Sequence, residues 1–78
     1  MGKQIDDWQY SHIRRQWELT DQGYQAIVVR AGLNDSWYAT VERLNYYERH
    51  EGPGFDWPHD GRAWCEAEIK RLLTSKAG

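Results

Sequence analysis

The chain has 78 residues, with 10 basic and 12 acidic side chains and a formal net charge of -2. A chain this short forms one domain, because domains of this size already struggle to bury enough surface. The near-balance of charge excludes a polycation that coats nucleic acid and a polyanionic mimic of DNA. The single cysteine, Cys65, excludes an internal disulfide and a zinc site built from several thiolates.

Neither a membrane span nor a secretory signal is predicted. The longest uninterrupted apolar run, residues 26–29, is far shorter than the ~20 residues that cross a bilayer. Residues 1–7 lack the apolar stretch of a secretory signal. We therefore expect a cytoplasmic protein with no membrane partner.

Polar and acidic residues 1–12 are expected to form an N-terminal arm that is frayed or disordered unless Trp8 ties it down. Residues 13–20 alternate between apolar and polar, which predicts a half-buried strand. Residues 21–23 predict a hairpin turn, in which Gly23 supplies a positive φ.

Two further strands follow. Residues 24–31 include three consecutive β-branched side chains and predict a central strand, covered on one face and partly on the other. Residues 36–44 alternate most clearly, with one side formed by Trp37, Ala39 and Val41 and the other by Tyr38, Thr40 and Glu42. Residues 45–50 either extend this strand or begin a loop, and the Gly- and Pro-rich residues 51–61 are irregular.

The last element is a helix that begins at Pro58 or Asp60 and runs to about Ser75. Its core stripe comprises Cys65, Ile69, Leu72 and Leu73, with Trp64 on the flank and a solvent-side pair, Glu66 and Lys70. The sequence thus predicts an α+β domain over residues 13–78. It is a three-stranded antiparallel β-meander followed by one C-terminal helix packed on one sheet face (β-β-β-α), with the other face open.

No catalytic or cofactor motif is present. The chain has neither GxGxxG nor a P-loop. The one candidate metal-ligand set matches no tight zinc spacing and consists of His50, Glu51, Asp56, His59 and Asp60, with Cys65 on the helix. Cys65 falls on the core stripe, where a thiol behaves as a small buried hydrophobe. We expect no enzyme, no metal and no cofactor.

Arginines on or beside the predicted strands make nucleic acid one candidate partner. Arg14, Arg30 and Arg43 are the residues that would contact phosphates or guanine edges. The layout of residues 13–75 resembles AP2-type and integrase-arm DNA-binding domains, which lay strand side chains into the major groove, although no motif of those families is matched. Glutamates on the same elements and the negative net charge oppose this alternative.

Aromatic residues in exposed segments favour a protein partner. The expected contact residues lie on the open sheet face and in the segments around it, and are Tyr38, Arg43, Tyr46, Tyr47, Arg49 and Trp57. Phe55 and Trp57 either anchor a partner or plug the end of the core. A homodimer through the first predicted strand is a further alternative, because that strand is an exposed edge unless the arm covers it.

A short chain with five tryptophans and no catalytic motif resembles small accessory proteins of phages and other mobile elements. That group includes anti-CRISPR inhibitors and gene-cassette products, and the resemblance implies a protein partner and an inhibitory role. We expect a non-enzymatic binding module that uses the open sheet face and the loop at residues 51–61.

Overall fold

A computed structural model describes residues 7–31 and 36–77 of the chain. Five strands precede one helix: β1 (Gln9–Ser11), β2 (Gln16–Asp21), β3 (Tyr24–Arg30), β4 (Trp37–Arg43), β5 (Glu48–Glu51) and α1 (Pro58–Ala77). Each strand pairs antiparallel with the next, so the sheet order equals the chain order. The predicted α+β class, with an antiparallel sheet and one C-terminal helix, is confirmed.

The predicted number of strands was wrong, because the sheet has five strands and not three. β1 lies inside the segment expected to be an arm, and it covers the outer edge of β2. β5 consists of four polar residues, Glu48–Glu51. Both additional strands are short and polar, so they carry no apolar alternation from which a strand is predicted. Residues 1–6 of the expected arm lie outside the described residues.

β2 begins at Gln16, later than expected, because residues 12–15 form the turn after β1. Arg15 has a left-handed φ of 55, and the Ile13 side chain is 95% exposed. The turn between β2 and β3 has Gln22 at φ 49 and Gly23 at φ 87. Positive φ at both central residues is typical of a type I′ hairpin, and it confirms the turn predicted there.

The core lies between α1 and the two central strands, β3 and β4. Its buried side chains on the sheet are Leu19, Tyr24, Ala26, Val28, Ala39 and Val41, and those on the helix are Cys65, Ile69 and Leu72. Gly61 lets the helix approach closely, because a Cβ there would lie 3.0 Å from Val28 Cγ1. The core stripe expected on the helix is confirmed, with Leu73 partly buried beside it.

Aromatic side chains extend this core beyond the width of one helix, towards β1. Trp8 Nε1 donates a hydrogen bond to Glu66 Oε2 at 2.7 Å. Glu66 was expected to face solvent, but it contacts the N-terminal segment instead. Tyr10 and Trp17 meet edge to face at 5.2 Å between ring centroids. The Arg62 guanidinium lies 4.4 Å from the centroid of the Trp17 ring. The helix is thereby tied to the N-terminal side of the sheet.

The segment after β5 continues along β4 with a shifted register. Thr40 is opposite Glu51, whereas Trp37 is opposite Phe55, with which it exchanges backbone hydrogen bonds of 2.6 and 2.9 Å. One extra residue is therefore inserted between the two pairs, as in a β-bulge. The insertion turns Phe55 to the covered face, where its ring lies 6.5 Å from that of Trp64.

Candidate functional site

The open face is the surface of the sheet opposite α1. By strand alternation and register it comprises Gln16, Glu18 and Thr20 of β2, Gln25, Ile27 and Val29 of β3, Tyr38, Thr40 and Glu42 of β4, and Arg49 and Glu51 of β5. The alternation expected in residues 36–44 is present, and its side with Tyr38, Thr40 and Glu42 lies on the open face. β1 and β5 widen it beyond what was expected.

The centre of the open face is apolar and is built from the two central strands. Val29 lies opposite Tyr38, and Ile27 lies opposite Thr40. Ile27 and Val29 are partly buried by their neighbours in the sheet, and Tyr38 is 46% exposed. We call these four residues the apolar patch.

Carboxylates flank the apolar patch on both sides. Glu18 of β2 is the cross-strand neighbour of Ile27, and Glu51 of β5 is the cross-strand neighbour of Thr40. Glu18 and Glu51 therefore lie in one row across the sheet, three strand spacings or about 14 Å apart. Glu42 lies beyond the patch along β4.

The basic side chains at this face are engaged by those carboxylates. Arg14 Nη1 lies 3.4 Å from Glu18 Oε2. Arg49 Nε lies 3.4 Å from Glu51 Oε2 and 3.9 Å from Glu42 Oε1. Three carboxylates and two guanidinium groups lie around the patch, so these side chains leave one negative charge in excess and the margin of the face is weakly acidic.

The structure distributes the residues expected to bind a protein over three places. Tyr38 and Arg49 lie on the open face. Tyr46 and Tyr47 lie in the turn between β4 and β5 (residues 44–47). Arg43 is the last residue of β4, and its guanidinium lies 3.8 Å from the centroid of the Tyr46 ring.

Trp57 occupies the third place, immediately before α1, and is 62% exposed. Trp57 lies two residues after Phe55, which pairs with Trp37, the first residue of β4. The 44–47 turn follows Arg43, the last residue of β4, so the two places lie at opposite ends of this strand. The length of β4 therefore separates Trp57 from the tyrosine pair by about 20 Å. The six residues do not form one contiguous surface.

The 44–47 turn is the most exposed aromatic feature among the described residues. Tyr46 and Tyr47 are 60% and 112% exposed, and Leu44 beside them is 39% exposed. Residues 42–49 line a shallow groove of about 390 Å³ at this end of the sheet. Sequence pattern alone did not show that the two tyrosines leave the sheet, because no strand was expected after them.

The three arginines proposed to contact nucleic acid are also dispersed. Arg14 lies in the turn before β2, against Glu18. By register Arg30 and Arg43 belong to the face that α1 covers, at opposite ends of the central strands. Arg43 also lies 3.9 Å from Glu48. The structure therefore does not bring these arginines together on the open face.

Cys65 is a structural thiol, as its place on the core stripe predicted. Its side chain is 0% exposed, and Sγ lies 3.8 Å from the carbonyl oxygen of Thr40. Burial, and to a lesser extent the charges of Glu66 and Glu68, together raise the pKa of the thiol to about 12. The thiolate, which is the nucleophilic form, is therefore scarce at neutral pH.

An ionic network links edge strand β5 to the helix. His50 Nε2 lies 2.8 Å from Glu48 Oε2, and its Nδ1 lies 3.6 Å from Glu68 Oε2. Arg71 donates two hydrogen bonds to Glu68, of 2.6 and 2.9 Å. These bonds lower the pKa of Glu68, with the charges of Arg71 and His50 acting in the same sense. The network could not be predicted, since it depends on β5 being a strand beside α1.

Within residues 7–31 and 36–77, no group of three or more His, Cys, Asp or Glu side chains is arranged to hold a metal ion. In the same part of the chain, no helix has both the length and the apolar character needed to cross a membrane. The chain matches no protein-family model, no curated protein and no solved structure.

Proposed function

We propose that this protein is a small, non-enzymatic binding module that docks a protein partner on its open face. The observation that carries the proposal is the apolar character of β3 on both of its faces, which Tyr38 of β4 extends across the uncovered face. α1 covers one set, which includes Val28 and Val41, and leaves the other set, which includes Ile27 and Val29, uncovered. Strands apolar on both sides are typical of sheets that are covered on both sides.

The chemistry of the patch suits a protein surface. An apolar centre with one large aromatic and a polar margin is the usual arrangement of an interface, and tyrosine is enriched among hot-spot residues. Of the 51–61 segment expected to be a loop, Glu51 belongs to β5 and residues 58–61 belong to α1. The remaining loop, residues 52–57, borders the site, because a Cβ placed on Gly54 would lie 3.9 Å from Tyr38 Cε1. We include this loop in the proposed contact surface.

An inhibitory accessory role, as in the mobile-element proteins that the chain resembles, would be exerted by covering a surface of the partner. The proposal does not require catalysis by this chain. Binding DNA through the same face has weaker support, because Glu18, Glu42 and Glu51 would face phosphates and the arginines beside them are already engaged.

The test is affinity capture from a lysate of the native cells, with nuclease treatment and at raised salt. The wild-type protein is compared with Tyr38→Ala and with the matched control Tyr46→Ala, which removes an exposed tyrosine outside the open face. We expect one protein to be captured through both treatments. Its capture should fall at least about tenfold for Tyr38→Ala, as for a hot-spot residue, and stay unchanged for the control.

Two results would contradict the proposal. A protein lost with Tyr46→Ala, or with Trp57→Ala, but retained with Tyr38→Ala would place the site at the turn or before the helix. Captured nucleic acid that disappears as salt rises would favour the DNA-binding alternative.

A further inference from the structure

The shape and charge of the open face specify the kind of protein segment that fits it, if the proposed function holds. The apolar patch is two strands wide and two residues deep along each strand, with Ile27 and Val29 on β3 beside Tyr38 and Thr40 on β4. In distance this is about 5 Å across and about 7 Å along the strands. Such a patch matches the apolar stripe of one helix and is too small for a second sheet.

The opposite face of the same strands shows how a helix is accommodated. α1 packs on β3 and β4 through Cys65, Ile69 and Leu72, which form a single stripe at helical spacing. A second helix on the open face would lie behind α1 on the other side of the same two strands. Layers of helices on both faces are typical of mostly parallel sheets, whereas within one antiparallel domain the helices usually lie on one face. A second helix on this antiparallel sheet would therefore come from another chain.

The acidic flanks determine the charge of that helix. Glu18 and Glu51 lie on opposite sides of the patch, about 14 Å apart by strand spacing, and Glu51 is 67% exposed at its side chain. A helix with its side chains is about 10–12 Å in diameter. Lysine or arginine residues beside its apolar stripe would thus reach both carboxylates, with their stems lying on the sheet.

We infer that the open face binds a basic amphipathic helix of the partner protein, with its apolar stripe on the patch and its flanking cations at Glu18 on one side and at Glu51 and Glu42 on the other. Arg14 and Arg49 do not cancel this preference. Three carboxylates face these two guanidinium groups, so incoming cations add partners to the network. An acidic helix would place like charges together on both flanks.

The inference is tested with a displayed library of 20-residue helical peptides. Every peptide has leucines at i, i+3, i+4 and i+7, and the flanking positions vary among lysine, glutamate and glutamine. The library is selected on the whole protein and counter-selected on Ile27→Asn, which places a polar amide at the centre of the patch. If the Ile27→Asn variant does not fold, the Tyr38→Asn variant is used for the counter-selection instead.

We expect lysine to be enriched at the flanking positions. Synthetic peptides should then show about tenfold tighter binding for lysine than for glutamine flanks, the effect of two or three surface ion pairs of ordinary strength. The double variant Glu18→Gln, Glu51→Gln should remove most of that difference. Asp21→Asn should leave it unchanged, because Asp21 lies by register on the covered face.

Two outcomes would overturn the inference. Peptides that depend on Ile27 but are enriched in glutamate or glutamine would refute the charge preference while leaving the open face as a binding surface. If selection enriches no peptide whose binding depends on Ile27, a helix is not what the open face binds. The capture experiment with Tyr38→Ala would then decide separately whether the face binds any protein.

Discussion

Replacing Gly52 by alanine is predicted to destabilise the protein, although its backbone does not require glycine conformationally. A Cβ at this position would lie 2.9 Å from Trp64 Cδ2, 3.0 Å from Cε2 and 3.1 Å from Cε3. Carbon atoms in favourable contact are about 3.5–4.0 Å apart. The indole is part of α1 and packs near Phe55, so either the helix or the segment after β5 must move.

The size of the effect follows from two opposing contributions. Adding a methyl group to a filled space costs about 1–3 kcal/mol. Alanine also restricts the unfolded chain, which returns about 0.4–1 kcal/mol. The two ranges leave a net loss between about 0 and 2.6 kcal/mol in the free energy of unfolding, with a central value of about 1.3 kcal/mol. In a domain of this size that central value lowers the melting temperature by about 5–10 °C.

Gly54 provides the matched control in the same loop. A Cβ there meets nothing closer than Tyr38 Cε1 at 3.9 Å, which is an ordinary contact. Thermal and urea unfolding of Gly54→Ala should thus show wild-type or slightly higher stability. In a Trp64→Leu background the cost of Gly52→Ala should shrink, because the ring it meets is gone. Equal stability of the two alanine variants, or an unchanged cost in that background, would refute the steric argument.

Three further predictions concern the helix and its links. Trp8→Phe removes the indole donor to Glu66, so amide exchange in β1 should accelerate, with about 1 kcal/mol lost from the free energy of unfolding; unchanged exchange would show that the bond does not hold the strand. The hydrogen bonds from Arg71 lower the pKa of Glu68 in the folded state. Stability should therefore fall as the pH drops below the pKa of Glu68 in the unfolded chain and through its pKa in the folded protein. Glu68→Gln should flatten that part of the plot of urea midpoint against pH, and parallel plots for variant and wild type would contradict this. The pKa of Cys65 is raised to about 12, mainly by burial. At neutral pH the thiol should react with a disulfide reagent only as fast as the protein opens, whereas in denaturant it should react at once. Rapid labelling of the native protein would contradict the burial of Cys65.

The elements that could be predicted are those in which apolar residues recur at the spacing of a half-buried strand or helix. Alternation assigned Leu19 and Val41 to the apolar sides of their strands, and helical spacing assigned Ile69 to the core stripe. β1 and β5 could not be predicted, because their pairing uses backbone groups that every residue supplies. Their polar side chains instead suit the edges of a sheet, where charge discourages pairing with other chains.

The candidate site was predictable to the same extent. Alternation placed Tyr38 and Glu42 on the open face, because their strand has no irregularity between them. The positions of Phe55 and Trp57 depend on the one-residue shift after β5, and those of the tyrosine pair depend on the 44–47 turn. Neither the shift nor the turn produces a repeating pattern of apolar residues, so the sequence could not show that these residues lie apart.

The open face is tested most directly by photo-crosslinking in the native cells. A photoreactive phenylalanine analogue replaces Gln25, which lies on the margin of the open face beside the apolar patch, and in a matched protein it replaces Tyr47 in the 44–47 turn. If the open face binds a protein, a discrete covalent adduct with one protein should form from position 25 and none from position 47. Excess wild-type protein should compete the adduct away, and excess Ile27→Asn should not. An adduct from position 47 alone, or nucleic acid as the species captured at position 25, would contradict the account.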